Sequence, residues 1–320
     1  MIKRLKPEIF QGNFRKRRYF EGWYLKHVSP DRDHVYAFIP GISLSRDSHS
    51  FIQVLNGKTG ESRYLRYPLS SFCADPGRFD IRVGESLFSL EGVEINIEKD
   101  DLSIHGSLAY RDLTPFPRSF YRPGIMGPYS YVPFMECRHG VVSVNHALAG
   151  EINFNGKTIN FSGGKGYIEK DWGSSFPETW IWLQSNHFEN QEVSFMLSIA
   201  KIPWMGRWFM GFLGFFHNDG HTSVFATYNR SRVKSLTRND KGKFSAVIES
   251  PGALYYIGAA QIAGSDLKAP VSGNMNRIIK ESADSVMNLR VCGSGGGEKF
   301  SGTGVCAGLE IIDSIFGYYE

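Results

Sequence analysis

The chain has 320 residues, of which 42% are hydrophobic and 21% are charged; this length suits two domains, and the composition is typical of globular proteins. The formal net charge of +4 comes from 36 basic and 32 acidic residues, an excess too small to indicate nucleic-acid binding. The four cysteines lack metal-ligand spacing, which argues against a zinc ribbon or a dense disulfide framework and favours a reducing compartment, the cytoplasm.

Basic residues cluster near the start of the chain, at Lys3, Arg4, Lys6, Arg15, Lys16, Arg17 and Arg18. An anionic membrane surface would attract such a cluster, so peripheral membrane contact is one expected interaction. The alternative is a solvated arm that leads into the first strand. The first thirty residues contain no uncharged apolar stretch before a cleavage site, so we expect no secretory signal and a mature chain that begins near Met1.

Most segments of the first half read as short strands that end at Gly, Asn, Asp or Pro. The predicted strands cover residues 35–42, 51–55, 87–90, 93–97 and 102–108. Hairpin turns are predicted at residues 56–57, 91–92, 99–101 and 155–156. Apolar and polar residues alternate on both sides of the last turn, over residues 152–161, which indicates a half-buried antiparallel hairpin.

The second half continues the pattern, with strands predicted at residues 193–199, 211–217, 223–228, 244–249, 254–260, 287–292 and 304–311. Turns are predicted at residues 218–220, 239–242, 251–252 and 293–297. The most apolar stretch, residues 202–216, is interrupted by Pro203, Arg207 and glycines. It is too short for a transmembrane helix, and we interpret it as strands and a turn. Helical periodicity is convincing nowhere.

A weak internal repeat links the two halves. Glu21-Gly22-Trp23 returns as Glu178-Thr179-Trp180, an offset of 157 residues, and an apolar strand follows each copy. Either two copies of one unit or a chance similarity explains this pattern. Closing an antiparallel sheet removes its exposed edges. We therefore predict an all-β fold of two lipocalin-like barrels with little helix, one over residues 1–173 and the other over residues 174–320.

The segment 164–186 concentrates carboxylates, lysines and tryptophans, a combination that favours a ligand cavity over a plain core. Asp171 lies beside Trp172 and follows Tyr167. Burial among aromatic side chains would raise the pKa of Asp171 and keep it neutral, ready to donate a proton. The alternative is that Lys170, Asp171 and Glu169 form surface pairs or cap a turn.

Three segments, residues 20–26, 127–143 and 164–186, resemble the tocopherol cyclase family. The first reads Phe-Glu-Gly-Trp-Tyr-Leu-Lys, and the second contains Tyr129, Glu136 and His139. The resemblance implies a two-domain lipocalin-like fold, related to carotenoid hydratases, with a deep apolar cavity. It also implies a cofactor-independent reaction, in which a phenolic oxygen adds across the nearest double bond of a prenyl tail and closes a chromanol ring.

Candidate catalytic residues for this reaction are Asp171, Glu136 and His139. Asp171 is the predicted proton donor, and His139 could accept the phenol proton as a general base. Because Glu136 and His139 are three residues apart on a predicted strand, they are expected on opposite faces, with only one of them facing the cavity. A structural role for His139 is the alternative.

Candidate substrate-binding residues are Trp23, Tyr24, Tyr129, Trp172, Trp180, Trp182, Gln184 and Asn186. Tryptophan faces would stabilise the tertiary cation and exclude water, although the same residues could simply fill barrel cores. Alternation places Gln184 and Asn186 on one strand face with Trp182, a surface that suits a quinol head group. A satisfied polar network in the core is the alternative.

Glu136, His139, His146 and Asp171 are metal-ligating residue types, but no His-x-His or His-x₃-His spacing is present, so we expect no metal and no cofactor. The expected partner is a hydrophobic small molecule, either a prenylated aromatic or a polyprenyl lipid, and not nucleic acid. Three functions stay open: a tocopherol cyclase-like enzyme, a binding protein that leaves its ligand unchanged, and an alkene hydratase. Burial of Asp171 would favour chemistry, whereas a solvated pairing with Lys170 or Arg138 would favour binding alone.

Overall fold

We obtained the fold from a computed structural model, which describes residues 2–239, 242–262 and 264–318. The chain divides into two compact units, Met1–Phe176 with Asp266–Ile278, and Pro177–Ser265 with Ile279–Glu320. Within the described ranges, helical structure is limited to five short 3₁₀ segments, at Ile2–Leu5, Leu69–Ser71, Gly127–Tyr131, Thr227–Asn229 and Asp313–Tyr318. This part of the chain contains no helix with the length and hydrophobicity of a transmembrane span.

The first sheet consists of β1 (Tyr19–Val28), β2 (Val35–Leu44), β3 (His49–Asn56), β4 (Glu61–Pro68), β5 (Phe72–Ala74), β6 (Asp80–Val83), β7 (Ser86–Ser89), β8 (Gly92–Lys99), β9 (Leu102–Pro115), β10 (Cys137–Phe154), β11 (Lys157–Asn160) and β12 (Lys165–Gly173). Its order is β4-β3-β2-β1-β12-β10-β9-β8-β7-β6-β5, and β11 pairs with β10. The pairing of β1 with β12 joins the first and last strands, and β4 and β5 form the two ends of the sheet, so the barrel is nearly closed.

The second sheet consists of β13 (Trp180–Ser185), β14 (Ser194–Trp204), β15 (Arg207–Asn218), β16 (His221–Ala226), β17 (Arg232–Arg238), β18 (Lys243–Ser250), β19 (Ala253–Ala260), β20 (Ser265–Val271), β21 (Asn274–Gly293) and β22 (Glu298–Ile311). Its order is β16-β15-β14-β13-β22-β21-β19-β18-β17, and β20 pairs with β21. Again the first strand lies between the second and the last. The predicted all-β, lipocalin-like architecture is therefore confirmed.

The strand order repeats, but the register of the predicted repeat does not. Trp23 packs into the core of the first sheet. In β13 it is Ile181 and Leu183 that enter the core of the second sheet, so Trp180 points to the opposite face. Since a slip of one residue reverses every side chain of a strand, the equivalence of Trp23 with Trp180 at an offset of 157 residues is wrong.

The predicted strands and turns agree with the structure over most of the chain. Residues 202–216 form the end of β14 and most of β15, joined by a tight turn in which Met205 and Gly206 have φ of 47° and 78°. Residues 293–297 form a hairpin tip between β21 and β22. The turn predicted at residues 239–242 includes residues 240 and 241, which lie outside the described residues.

Candidate functional site

Strand β12 distributes the predicted site residues over two faces. Directly opposed residues on neighbouring antiparallel strands share a face. The register pairs Asp171 with His139 on β10, and it pairs Glu169 with Tyr24 on β1. Lys170 is paired with Trp23, which belongs to the core of the first sheet. The acidic residues of β12 therefore lie on the face away from that core, and Lys170 lies on the core side.

On the core side, Lys170 is completely buried and forms an ion pair with Glu21, which is also completely buried. The Lys170 Nζ atom lies 4.4 Å from the ring centroid of Trp23 and 4.9 Å from that of Trp172. Burial lowers the pKa of Lys170 to about 8, while the charge of Glu21 opposes this shift. Trp23 and Trp172, which the sequence predicts to bind substrate, thus contact this lysine by cation–π geometry.

The residues of this ion pair also bind the N-terminal arm, which is the segment before β1, to the first sheet. Lys170 donates hydrogen bonds to the carbonyl oxygens of Pro7 at 2.9 Å and Ile9 at 2.5 Å. Glu21 accepts the backbone N–H groups of Gln11 and Gly12 at 2.7 and 2.9 Å. Neither Lys170 nor Asp171 forms the surface pair considered above, because Lys170 is engaged with Glu21 and the arm.

On the other face, an imidazole lies between two carboxylates. The Nδ1 atom of His139 is 3.0 Å from Oδ1 of Asp171, and its Nε2 atom is 3.5 Å from Oε2 of Glu169. The same Glu169 oxygen accepts a hydrogen bond of 2.7 Å from the Tyr167 hydroxyl. We call these four residues, Tyr167, His139, Glu169 and Asp171, the acid cluster.

Burial differs within the acid cluster. The side chain of Glu169 is 5% exposed, whereas that of Asp171 is 25% exposed. Burial, together with the neighbouring Glu169 charge, raises the pKa of Tyr167 well above its ordinary value, so its hydroxyl stays protonated and donates. The better-buried carboxyl is therefore Glu169, which lies in the predicted segment 164–186 but is not among the predicted catalytic residues.

Loop and strand contacts hold His139 in place. Its backbone N–H lies 3.1 Å from the sulfur of Met126, next to the 3₁₀ segment that carries the half-buried Tyr129. The neighbouring Gly140 has no room for a side chain, since a Cβ atom there would lie 2.7 Å from Cβ of Pro7. Glu136 precedes β10 and is exposed, and its carbonyl oxygen accepts the Ser174 N–H at 2.7 Å.

The acid cluster also contains the donor set of a metal site. His139, Glu169 and Asp171 place one nitrogen and two carboxylate oxygens within 4.8 Å of one another, the one such group found among the described residues. This donor set suits a divalent transition metal. The set of four metal-ligating residue types found in the sequence does not assemble, because Glu136 is exposed and His146 instead contacts Ser143 and packs against the Tyr110 ring at a tilt.

The remaining predicted binding residues belong to the second unit. Trp180, Trp182, Gln184 and Asn186 are all buried. Trp180, Trp182 and Gln184 share the β13 face that points away from the core of the second sheet, as alternation predicts. The indole Nε1 of Trp180 donates to Oε2 of Glu310 at 2.5 Å. Asn186 follows the last residue of β13.

These features define a class: a lipocalin-like, all-β protein that carries a partly buried carboxylate–imidazole cluster. The profile of the tocopherol cyclase-like family matches residues 113–311, more than half of the chain. The chain therefore belongs to the tocopherol cyclase-like family. The chloroplastic tocopherol cyclase of Zea mays is 31% identical over 68 residues, which are 21% of this chain and 14% of the maize protein. The match thus covers a small part of that relative.

Solved structures share the fold at low identity. The structure of CghA with Sch210972 superposes with a TM-score of 0.56 and 13% identity, covering 92% of this chain and 88% of CghA. A Nitrosomonas europaea protein with the AttH designation superposes with a TM-score of 0.52 and 12% identity, covering 91% of this chain and 92% of that one. At such identities the similarity shows the fold alone.

Proposed function

We propose that the protein is a cofactor-independent cyclase, which protonates a prenyl double bond of a prenylated quinol and closes a chromanol ring. Glu169 is the proton donor in this proposal. The observation that carries it is the environment of Glu169, a buried carboxyl that accepts the Tyr167 hydroxyl and lies 3.5 Å from the imidazole of His139. A carboxyl this buried is shielded from bulk water, so a proton that it carries can pass to an alkene bound beside it.

The proposed reaction balances without a co-reactant. Glu169 gives its proton to the less substituted alkene carbon, and the tertiary cation that forms is captured by the phenolic oxygen, which makes the new C–O bond. His139 accepts the phenolic proton at Nε2 and returns it to Glu169 across their 3.5 Å contact. The substrate is thereby isomerised, and the acid is regenerated.

Asp171 has a positioning role in this proposal. Its carboxylate lies 3.0 Å from Nδ1 of His139, so a proton on Nδ1 is held there, and the lone pair of Nε2 is left facing Glu169. The sequence favoured Asp171 as the donor, but its side chain is 25% exposed and engaged with His139. Membership of the tocopherol cyclase-like family supports the reaction type.

A hydratase is the second candidate, and one observation favours it. The exposed quarter of the Asp171 side chain gives water a route to the edge of the acid cluster. Water would capture the same tertiary cation and yield an alcohol instead of a ring. The proton donor and the first step are identical in the two reactions, so the product distinguishes them.

The test uses a prenylated hydroquinone in deuterated buffer. The products are separated by chromatography, and their masses are measured by mass spectrometry. Cyclisation gives a chromanol that has gained one deuteron on carbon, and hydration gives an alcohol. Glu169→Gln should lower turnover by about 10²- to 10⁴-fold, with ligand affinity, followed by tryptophan fluorescence, unchanged. Glu151→Gln, which removes an exposed carboxyl of β10, is the control. Binding without any product from the wild type would show that the protein is a binding protein.

A further inference from the structure

We propose that the first unit contains a phosphate-binding pocket, separate in its residues from the acid cluster. The pocket has a volume of about 550 Å³ and is lined by Arg17, Arg18, Ser45, Arg46, Ser272 and Asn274. Three guanidinium groups therefore share one concavity with two hydroxyl groups and one amide. No acidic side chain is among these lining residues.

The positive charge of the pocket is not balanced by neighbouring carboxylates. Within the described residues, the guanidinium groups of Arg17, Arg18 and Arg46 have no carboxylate at ion-pair distance, in contrast to several other surface arginines. Asp47 follows Arg46 directly, yet its carboxylate is 2.6 Å from Nη2 of Arg66 and is thereby engaged. Three like charges around one concavity repel each other, and a bound anion offsets this repulsion.

The backbone beneath the pocket is held by specific contacts. Gly273, with φ of 80°, packs so closely on the arm that a Cβ atom there would lie 2.6 Å from Cα of Arg18. Its carbonyl oxygen accepts the Ser43 hydroxyl at 2.6 Å, and its N–H donates to the Ser174 carbonyl at 2.6 Å. The arm, the end of β2 and the turn at residues 272–274 are thus joined, which lowers the entropic cost of binding a ligand between them.

The chemistry of the lining favours a phosphate ester. Guanidinium groups bind phosphate oxygens through paired, charge-assisted hydrogen bonds, and three of them match a doubly charged tetrahedral anion better than a single carboxylate. The volume exceeds that of phosphate alone, so an organic substituent fits beside it. Phe14, on the same arm, is 51% exposed. An exposed aromatic residue close to basic residues suits binding to a phospholipid head group at a membrane surface. A water-soluble phosphate ester presents the same group.

The experiment measures two kinds of phosphate with one set of variants. Calorimetry with inorganic phosphate at low ionic strength reports the free anion. Flotation with phosphatidylcholine vesicles, with and without phosphatidic acid, reports the lipid. Arg17→Gln combined with Arg46→Gln should weaken both interactions, or whichever of them occurs, by about tenfold or more. The matched control is Arg15→Gln combined with Arg82→Gln, which removes the same charge from exposed arginines outside the pocket.

The outcomes separate the sources. Binding of free phosphate that the pocket variant loses and the control keeps, without preference for phosphatidic acid, supports the pocket and assigns it to a water-soluble phosphate group. Binding to phosphatidic acid vesicles that the pocket variant loses and the control keeps supports a lipid head group. The proposal is overturned if the wild type binds neither probe, or if pocket and control variants lose binding equally. Circular dichroism verifies that both variants, which change only exposed side chains, remain folded.

Discussion

His139 on β10 reaches diagonally across β12, so that its Nε2 atom lies 3.5 Å from Glu169 while its Nδ1 atom lies 3.0 Å from Asp171, its partner in register. Two carboxylates separated by one residue on a strand face the same side. One imidazole can therefore contact both. This arrangement gives the two carboxylates different surroundings, since Glu169 is buried with Tyr167 and Asp171 is partly exposed.

The first prediction concerns His139, which contacts both Glu169 and Asp171. His139→Gln keeps a polar side chain but removes the group that accepts the phenolic proton, so the kcat of cyclisation should fall by about 10²-fold or more, with KM little changed. Deuterium uptake from solvent should fall in parallel. The matched variant His221→Gln, at an exposed histidine, should retain full activity. Normal turnover of His139→Gln would remove His139 from the proposed mechanism.

The sequence predicted the architecture well because strands end at turn residues and because their apolar residues follow recognisable patterns. The hairpin at 152–161 shows alternation of apolar and polar residues, whereas 35–42 and 51–55, which are buried on both faces, show short apolar runs. It missed β12 as a regular strand, because this strand is buried on both faces from Gly166 to Lys170 and shows no alternation of apolar and polar residues. Because Glu169 and Lys170 are charged but buried, the sequence of β12 lacks the apolar run expected of a strand that is buried on both faces.

The site was predicted in part for a related reason. The sequence located the right segment, and it selected Asp171 and His139, which the fold brings together. It could not rank Glu169 above Asp171, since their difference in burial depends on residues distant in the chain. It also grouped Trp23 and Trp172 with Asp171, although strand alternation alone separates Trp172 from Asp171. The same alternation places Trp172 on the face of Lys170.

The second prediction concerns the buried ion pair of Lys170 and Glu21. Lys170→Met leaves the Glu21 charge buried without its partner, and the free energy of unfolding should fall by about 3–5 kcal/mol. Adding Glu21→Gln should recover part of this loss, because the orphaned charge is then removed. Arg63→Met, which breaks an exposed pair with Asp101, should cost less than about 1 kcal/mol. Urea unfolding followed by tryptophan fluorescence measures all three.

If the double variant were no more stable than Lys170→Met, the loss would come from packing against Trp23 and Trp172 instead of from charge. The arm contacts of Lys170 provide a second readout. Limited proteolysis should cleave the segment before β1 faster in Lys170→Met than in the wild type, because the carbonyl oxygens of Pro7 and Ile9 lose their donor.

A third prediction is a pH dependence of stability. Burial lowers the pKa values of His27 and His146 to about 3, so both are neutral in the fold and become charged on unfolding below pH 6.5. The unfolded state then binds more protons, and stability should fall as pH decreases from 6.5 towards 3, by about 1.4 kcal/mol per pH unit for each histidine. Urea unfolding at pH 7 and pH 5 gives this slope.

His27→Gln combined with His146→Gln should flatten the slope, and His221→Gln, at an exposed position, should leave it unchanged. An identical slope in the wild type and the double variant would assign the acid sensitivity to other groups. The double variant should also be less stable at pH 7, since His27 loses its 2.6 Å contact with the Tyr110 hydroxyl.

The last prediction concerns metals and separates proton transfer from metal catalysis. The donor atoms of His139, Glu169 and Asp171 lie close enough to bind one divalent ion, and such an ion would occupy both the proton donor and the base of the proposed mechanism. Added Zn²⁺ should therefore inhibit cyclisation, and calorimetry should show Zn²⁺ binding that His139→Gln weakens by at least about tenfold. Treatment with a chelator should leave turnover unchanged. Loss of turnover on chelation, restored by one metal, would instead show that the cluster works as a metal centre and would displace Glu169 from the role of acid.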